Sequence, residues 1–569
     1  MDFFVRSFQR LKWGIFPTRR IVDEDVSEDV SEEVISKDST NIEESEKKSI
    51  SKVEVNELSF EYRDEANRPW WKFFDEYEYR ITSQFKSNRK WYKWFHDEDT
   101  PEERKLILKI DLLLTFYSLM AYWVKYLDQT NLTNAYVGGM KESINMQGND
   151  FVNTQVMFNI GNIIFQIPFM YVLYALPLNY VMPSLDICWS ILTICLSQVK
   201  SVGTLKTLRF FIGAFEAPSY IAYHSLFASW YRGSTGEIAR RAGFYYFGQY
   251  LGILTSGVLS GAIERGMKDV GGYEAWQWIF IIDGIISLIV GIIGIYMIPG
   301  TPHDCYSIFL SDEDIRIARK RIIKDNKDVK PKENATKYFF DFTIWKDIFT
   351  SWQFYVLSIW DIFLWNNSNG TSGAYALWLK SLTKSDGITP LYNAGKLQDM
   401  TALTPGLGII WLIIVCSIAD FGKSRSGAII FSQIFNILCN VLLAIWNLPQ
   451  GTLLFAFCLQ YFSWSSSPVL YSWQGDICRR DIRKRQVILV IMNMIGQQST
   501  AWIAVLVWKT VESPRFLKGY SFTAASAFAL IIWTLVVLYF YKRDEKLHAK
   551  ENGIIIYNSK NDKESIEST

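Results

Sequence analysis

Histidine is nearly absent from this chain, with four residues in 569, at positions 96, 224, 303 and 548. Cysteine is scarce as well: there are seven, and none forms a Cys-x-x-Cys pair. These shortages leave no metal-ligand cluster and no disulfide framework, both of which need several sulfur or imidazole donors at short fixed spacings. Cys188, Cys195, Cys416, Cys439 and Cys458 lie in apolar segments and read as small packing residues. Net charge is missing too. Lysine plus arginine number 59 against 58 for aspartate plus glutamate, so nothing in the balance of +1 attracts a polyanion, and nucleic acid is not an expected partner. The sequence contains no Walker loop, nucleophile elbow or zinc-binding helix motif, which removes the signs of an enzyme or an ATP-driven pump and calls for no cofactor. The opening MDFFVRSFQRLKWGIF holds no sustained apolar run and does not read as a cleavable signal peptide.

Apolar and aromatic residues are abundant instead: the chain is 49% hydrophobic and 16% aromatic, with 22 tryptophans. A bilayer-crossing helix needs about 20 mostly apolar residues. Runs of that kind fall near 106–127, 152–176, 180–200, 206–231, 241–263 and 276–299. After a charged stretch come 352–380, 393–419, 426–446, 452–476, 485–508 and 519–541. About twelve transmembrane helices in two sets of six predict an all-α integral membrane protein made of two half-repeats, which is a transporter architecture.

The expected division is a disordered acidic cytosolic tail over 1–59, an amphipathic cytosolic or interfacial segment over 60–105, and an N-terminal six-helix half over 106–299. A central cytosolic loop over 300–351, a C-terminal half over 352–541 and a cytosolic tail over 542–569 complete it. Residues 20–58 hold too little apolar surface to order themselves. An even number of spans puts both ends on the face of the central loop, whose ten basic residues between 316 and 346 assign that face to the cytosol. Trp70, Phe74, Tyr77, Ile81 and Phe85 recur at helical spacing. A helix among the lipid headgroups and a helix packed on the protein's own cytosolic face fit that spacing equally.

Ionisable residues inside the spans are the functional candidates, because burying a charge in a bilayer is costly. Glu216 lies near the middle of the fourth span, on one helical face with Arg209, Gly213 and Tyr220, and Pro218 two residues later bends the helix. A proton site and a paired acid that joins two helices are both open readings of Glu216. Lys125, Asp128 and Asn131 are spaced by three, with Gln129 four from Lys125. If the first helix continues through them they face one cavity; if it ends near Leu127 they are solvated loop groups. Gln249 in the fifth span is a candidate ligand donor. The seventh holds Asp361, Asn366, Asn367 and Asn369 with Gly370 and Gly373, a polar and breakable run of the kind that forms binding sites. Trp473, Gln474, Asn493, Gln497 and Gln498 add polar groups to the tenth and eleventh spans, where ligand binding and interhelical hydrogen bonding are alternatives.

The stretches LDQTNLTNAY (127–136), RFFIGAFEAP with SWYRGSTGEIARR (209–241), AWQWIFIIDG (275–284), PGTPHDCYSIFLSDEDIRIARKR (299–321) and ADFGKSR (419–425) resemble the major facilitator superfamily. Within it they are similar to the fungal allantoate permease group of anion:cation symporters. YRDEANRPWWKFFDEYEYR (62–80) and VLYSWQGDICRRD (469–481) resemble the members linked to ethionine sulfoxide resistance.

The resemblance implies a plasma-membrane, proton-coupled symporter of a small organic anion or sulfur-containing amino-acid derivative, acting as a monomer with both termini cytosolic. A non-transporting nutrient receptor and an uncoupled facilitator are the alternatives. It also implies that Glu216 and Asp128 take up the proton and that Asp420, Gly422, Lys423 and Arg425 form a gating motif. Lys125, Gln129, Asn131, Gln249, Asn366, Asn367 and Gln497 are the expected substrate-binding residues. Two departures stand out: Gln129 occupies the position where relatives carry arginine, and LPLNYVMPSLD (176–186) lacks the first half's gating residues. Lys125, one turn before Gln129, is placed by its spacing to supply the missing cation.

Overall fold

A helix can cross a bilayer because it satisfies its backbone polar groups internally, and only breaks that find other partners are tolerated. The computed structural model describes residues 99–232, 237–325, 342–368, 373–384, 389–480 and 482–559. Before residue 99 it describes short pieces: 11–12, 16–20, 22, 61–66, 68–80 and 94–95. The tail expected to be disordered over 20–58 lies, from residue 23 on, outside the described residues.

Among the described residues twelve helical rods follow one another. In the first half they are Pro101–Ser143, Asp150–Ala175, Leu178–Leu196, a broken fourth (Val202–Glu216 and Ser219–Trp230), Glu237–Gly266 and Ala275–Met297. Two short helices, Asp312–Asp325 and Phe342–Phe349, lie between the halves. The second half begins with a broken seventh rod (Trp352–Asn366 and Ala374–Ser381) and an eighth (Ala394–Thr401 and Leu403–Phe421). Arg425–Ile445, a tenth in three pieces spanning Gln450–Ile477, Ile482–Val507 and Leu517–Leu547 complete it.

Among the described residues, eight are long and apolar enough to cross a membrane by length and composition. The fourth and seventh are broken and the fifth is rich in glycine and hydroxyl residues, and these three with the second supply walls of the central cavity described below. The first helix runs on to Ser143, far past the expected end at 127, so Lys125, Asp128 and Asn131 are helical.

The packing repeats with a shift of six. The first rod packs on the fifth, the second on the fourth and the third on the sixth; likewise the seventh on the eleventh, the eighth on the tenth and the ninth on the twelfth. The halves meet through the fifth against the eighth and the second against the eleventh. Glycine permits the closest of these approaches. A Cβ at Gly161 would lie 2.0 Å from the Phe210 carbonyl oxygen, and one at Gly213 would lie 2.0 Å from that of Phe158, so the second and fourth rods touch backbone to backbone.

Both ends of the chain meet on one face. Glu61–Asp64 pairs in parallel with Ile554–Tyr557. Arg80 is buried against Asp476 and Glu545, and Glu76 accepts bonds of 2.7 and 2.8 Å from the Ser426 N–H and hydroxyl at the start of the ninth helix. The expected amphipathic α-helix over 70–85 is not formed in its described part. Trp70–Phe74 is a single 3-10 turn, with Trp70, Trp71 and Phe74 exposed, and the chain then turns Glu76, Glu78 and Arg80 onto the second half. Pairing with buried cations and a helix N-terminus outweighs helical periodicity there. Ile81 and Phe85 lie outside the described residues.

Replacing Gly213 with alanine should therefore separate the second and fourth helices, at about 1–3 kcal/mol for a forced overpacking. A lower thermal midpoint of the detergent-solubilised protein is the expected result; an unchanged midpoint would mean that the two helices do not meet at these glycines.

Candidate functional site

The break in the fourth rod creates the site. Proline at 218 has no N–H to donate, and the helix stops at Glu216 and resumes at Ser219. At the break the Glu216 carbonyl accepts from the Lys125 ammonium at 3.3 Å and from the Ser219 hydroxyl at 2.9 Å. The Glu216 carboxylate, wholly buried, lies 3.6 Å from the same ammonium and accepts a 3.2 Å bond from the Gln129 amide. Its second oxygen makes no hydrogen bond. Lys125 thus holds both the carbonyl and the carboxylate of one residue.

Asp128, one turn on, faces elsewhere. Its oxygens accept from Arg209 at 3.0 Å and Thr193 at 3.1 Å, and both members of the ion pair are buried. Asp283 of the sixth helix faces the same cluster beside Asn131 and Asp128. Three buried carboxyls, Asp128, Glu216 and Asp283, and the partly buried Asp186 beside Lys125 therefore share two cations, Lys125 and Arg209, among the described residues.

Next to this cluster, between the two halves, is a cavity of about 260 Å³. It lies between two closures. On the face away from the termini the halves are tied by the Gln398 amide on the Asn134 carbonyl (2.7 Å), by Arg265 on Asp399 (2.6 Å) and by Lys380 on Glu142 (3.2 Å). Toward the face of the termini, tyrosines from both halves meet. Tyr471 stacks on Tyr246 at 6.5 Å between ring centroids and lies 6.2 Å from Tyr220, whose hydroxyl is 2.9 Å from that of Tyr246.

Lys125, Gln129, Gln249 and Gln497 line this cavity. Three other expected substrate residues do not. Asn131 accepts from Ser256 at 2.6 Å and joins the first helix to the fifth. Asn366 donates to the Ile362 carbonyl and to Ser499, and Asn367 donates to Gln433 at 2.9 Å. The seventh helix stops at Asn366, and its terminal amides are consumed in holding the ninth and eleventh helices at the break. Of the polar run that follows, 369–372 lies outside the described residues.

The gating candidates lie at the face of the termini. Asp420 is in the last turn of the eighth rod, Gly422 caps it, Lys423 has a positive φ of 49°, and Arg425 bonds Asp476 of the tenth rod at 2.9 Å. Arg80 reaches the same Asp476 at 3.0 Å, a partner that the motif alone does not disclose.

The cavity also contains groups outside the expected set. Asn159, Asn162 and Gln166 project into it from the second helix, at a 3-and-4 spacing that marks one helical face and was readable. Tyr126, Trp365, Tyr461, Trp464 and Tyr471 form its aromatic walls. No spacing distinguishes those rings from ordinary core. The arrangement can take a solute with one negative charge near Lys125, amide hydrogen bonds around it and flat apolar surface between rings.

A family model described as Major Facilitator Superfamily matches residues 118–501. A vitamin H transporter of Saccharomyces cerevisiae is 38% identical over 512 residues, covering 89% of this chain and 84% of the relative. A pantothenate transporter of Schizosaccharomyces pombe is 28% identical, covering 78% and 84%. Among solved structures, the xylose transporter from E. coli superposes with a TM-score of 0.55 at 10% identity, over 74% of this chain and 97% of that one. A D-xylose–proton symporter gives 0.53 at 12% identity, over 76% and 97%. These two likenesses speak to the fold.

Arg209→Ala should leave Asp128 as a buried, uncompensated charge, at about 3–5 kcal/mol. Recovery from membranes and the thermal midpoint should both fall, and adding Asp128→Asn should restore most of the loss. Full stability of the single variant would mean that Asp128 does not depend on Arg209.

Proposed function

The chain belongs to the Major Facilitator Superfamily, a family of membrane transporters rather than enzymes, and from that premise we propose that it is a proton-coupled symporter of a small organic carboxylate. The observation that carries the reading is the sharing of Lys125 between a buried carboxylate and the cavity. With Glu216 ionised, the ammonium is engaged. A proton on Glu216 removes that charge and frees Lys125 for a substrate carboxylate, and loss of the proton recaptures the lysine and expels the anion. Proton and substrate then favour the same global state, which is what coupling requires. Asp128 has a dedicated counter-ion in Arg209, so Glu216 is the better proton carrier and Asp128 the support that fixes Arg209.

The chemistry of the substrate follows from the lining. Two cations line the cavity, and Arg209 is paired with Asp128, so Lys125 calls for one carboxylate; the amides of Gln129, Asn162, Gln166, Gln249 and Gln497 call for polar groups along the rest of the solute; the rings call for an apolar portion between them. The vitamin H and pantothenate named for the two relatives are carboxylic acids of that description, as is a sulfur-containing amino-acid derivative. Asp420, Gly422, Lys423 and Arg425 act in this proposal as the gate at the face of the termini, Gln497 and Gln249 as substrate contacts from opposite halves, and the host membrane is the plasma membrane with both termini in the cytosol.

Purified protein in vesicles would be challenged with vitamin H, pantothenate and methionine sulfoxide while pH is followed on both sides. Inward proton movement with at least one compound is expected, and Glu216→Gln should lose gradient-driven accumulation while keeping exchange of preloaded substrate. Accumulation that survives in the variant would sink the proton assignment and favour an uncoupled facilitator. Lys125→Ala should weaken a carboxylate about 10- to 100-fold, the worth of a charged hydrogen bond, and its neutral amide far less; equal loss for both would make Lys125 structural.

A further inference from the structure

Four of the five residues in the Trp70–Phe74 turn are aromatic, and three of them are exposed: Trp70 at 76%, Trp71 at 61% and Phe74 at 45%. Their rings form one patch. Trp70 meets Trp71 and Phe74 at 6.4 Å between centroids, and Phe73 meets Phe74 at 5.4 Å. The backbone beneath the patch is held down. The Lys542 ammonium donates to the carbonyls of Lys72 and Phe73, the second at 3.2 Å, and pairs with Glu78. Glu76 and Arg80 fix the next residues to the ninth, tenth and twelfth helices. Large rings turned outward from so well anchored a segment mark an interaction surface.

The height of that surface follows from the neighbouring helix ends. Trp352, at the start of the seventh rod, stacks on Phe540 of the twelfth at 5.3 Å, so these two ends lie side by side. Around them Phe349, Tyr355 and Tyr539 are exposed, an aromatic belt of the kind found where acyl chains meet headgroups. The apolar run of the twelfth helix stops there, and KRDEK follows at 542–546. Lys542 comes two residues after Phe540, about 3 Å along a helix. The turn that Lys542 holds therefore lies at the belt or within a helical turn beyond it. It also lies over the perimeter, because the ninth and twelfth helices beneath it both carry exposed apolar stripes, Ile434 and Leu438 on one and Phe528 and Ile532 on the other.

We infer that the Trp70–Phe74 turn seats in the lipid headgroup layer of the leaflet on the face of the termini, with its rings against the upper acyl chains. Tryptophan suits that depth, since the ring is apolar and the indole N–H can reach lipid oxygens. The segment then has two anchors. One is the bilayer; the other is Asp476, which Arg80 shares with Arg425 of the proposed gate. The gate of the second half is braced from the membrane surface.

The full chain in phosphatidylcholine nanodiscs would be illuminated with either of two photoactivatable phospholipids, one with its diazirine next to the glycerol and one with it at the far end of the acyl chain, then digested for mass spectrometry. Lipid adducts on the peptide holding Trp70 and Trp71 are expected with the first probe and not with the second, which should label the span around Ile532. Replacing both tryptophans, Trp70→Ser with Trp71→Ser, should remove the adduct from that peptide and leave the one around Tyr539. An adduct that persists in the double variant would overturn the role of the tryptophans. Adducts around Tyr539 with none at Trp70–Phe74 in the unaltered protein would overturn the inference, and chemical cross-links from that turn to a second chain would then make the patch a contact between copies. The unaltered protein decides the matter even where the double variant is not recovered.

Discussion

A lysine ammonium and a glutamate carboxylate, each too costly to bury alone in a membrane protein, are brought together where a proline interrupts a helix. Lys125 and Glu216 join the first and fourth rods, and the same ammonium satisfies a carbonyl that the interruption left open. The backbone break and the ion pair therefore support each other. Without Lys125 the broken helix would keep only the Ser219 hydroxyl as a partner for that carbonyl, and without Pro218 the helix would have no reason to break there. Arg209 and Asp128 provide the rigid neighbour against which this pair can change.

The two halves share one packing plan and use it for different chemistry. The first half holds the ion pairs beside the cavity; the second faces the cavity mostly with amides and rings, from Gln460 and Tyr461 to Asn493 and Gln497. Their contact is polar and ionic on one side, through Asn134, Gln398, Arg265 and Asp399, and aromatic on the other, through Tyr220, Tyr246 and Tyr471. Stacked rings can separate and re-form without leaving charges unpaired. A moving boundary made of tyrosine is consistent with fixed ion pairs elsewhere.

Hydrophobic run lengths made the fold legible, because a bilayer imposes a minimum span that composition cannot disguise. Glu216, Asp128 and Lys125 were legible for the same reason in reverse, as charges where charge is expensive. Partners were not. That Asp128 would turn to Arg209 while Lys125 turned to Glu216 depends on which way each helix is rotated, and a spacing of three places both on one face without saying what that face meets. Asn366 and Asn367 misled because a polar run at a helix break serves a cavity and a repair of the backbone equally well. The chain before the first span misled differently: periodic aromatics suggested a helix, while the charges between them, Glu76, Glu78 and Arg80, had partners some 350 to 470 residues away.

The third, sixth, ninth and twelfth helices contribute nothing to the cavity wall and carry their exposed apolar residues as stripes, such as Ile285, Ile289 and Ile292 or Ile434, Leu438, Val441 and Ile445. Those four helices answer to the surrounding lipid and to their neighbours, while the other eight must satisfy the cavity on one face and, through residues such as Leu112, Ile413 and Trp502, the surroundings on another. A substitution on the four outer helices can therefore be accommodated without touching the cavity wall, whereas one on the inner eight has two masters.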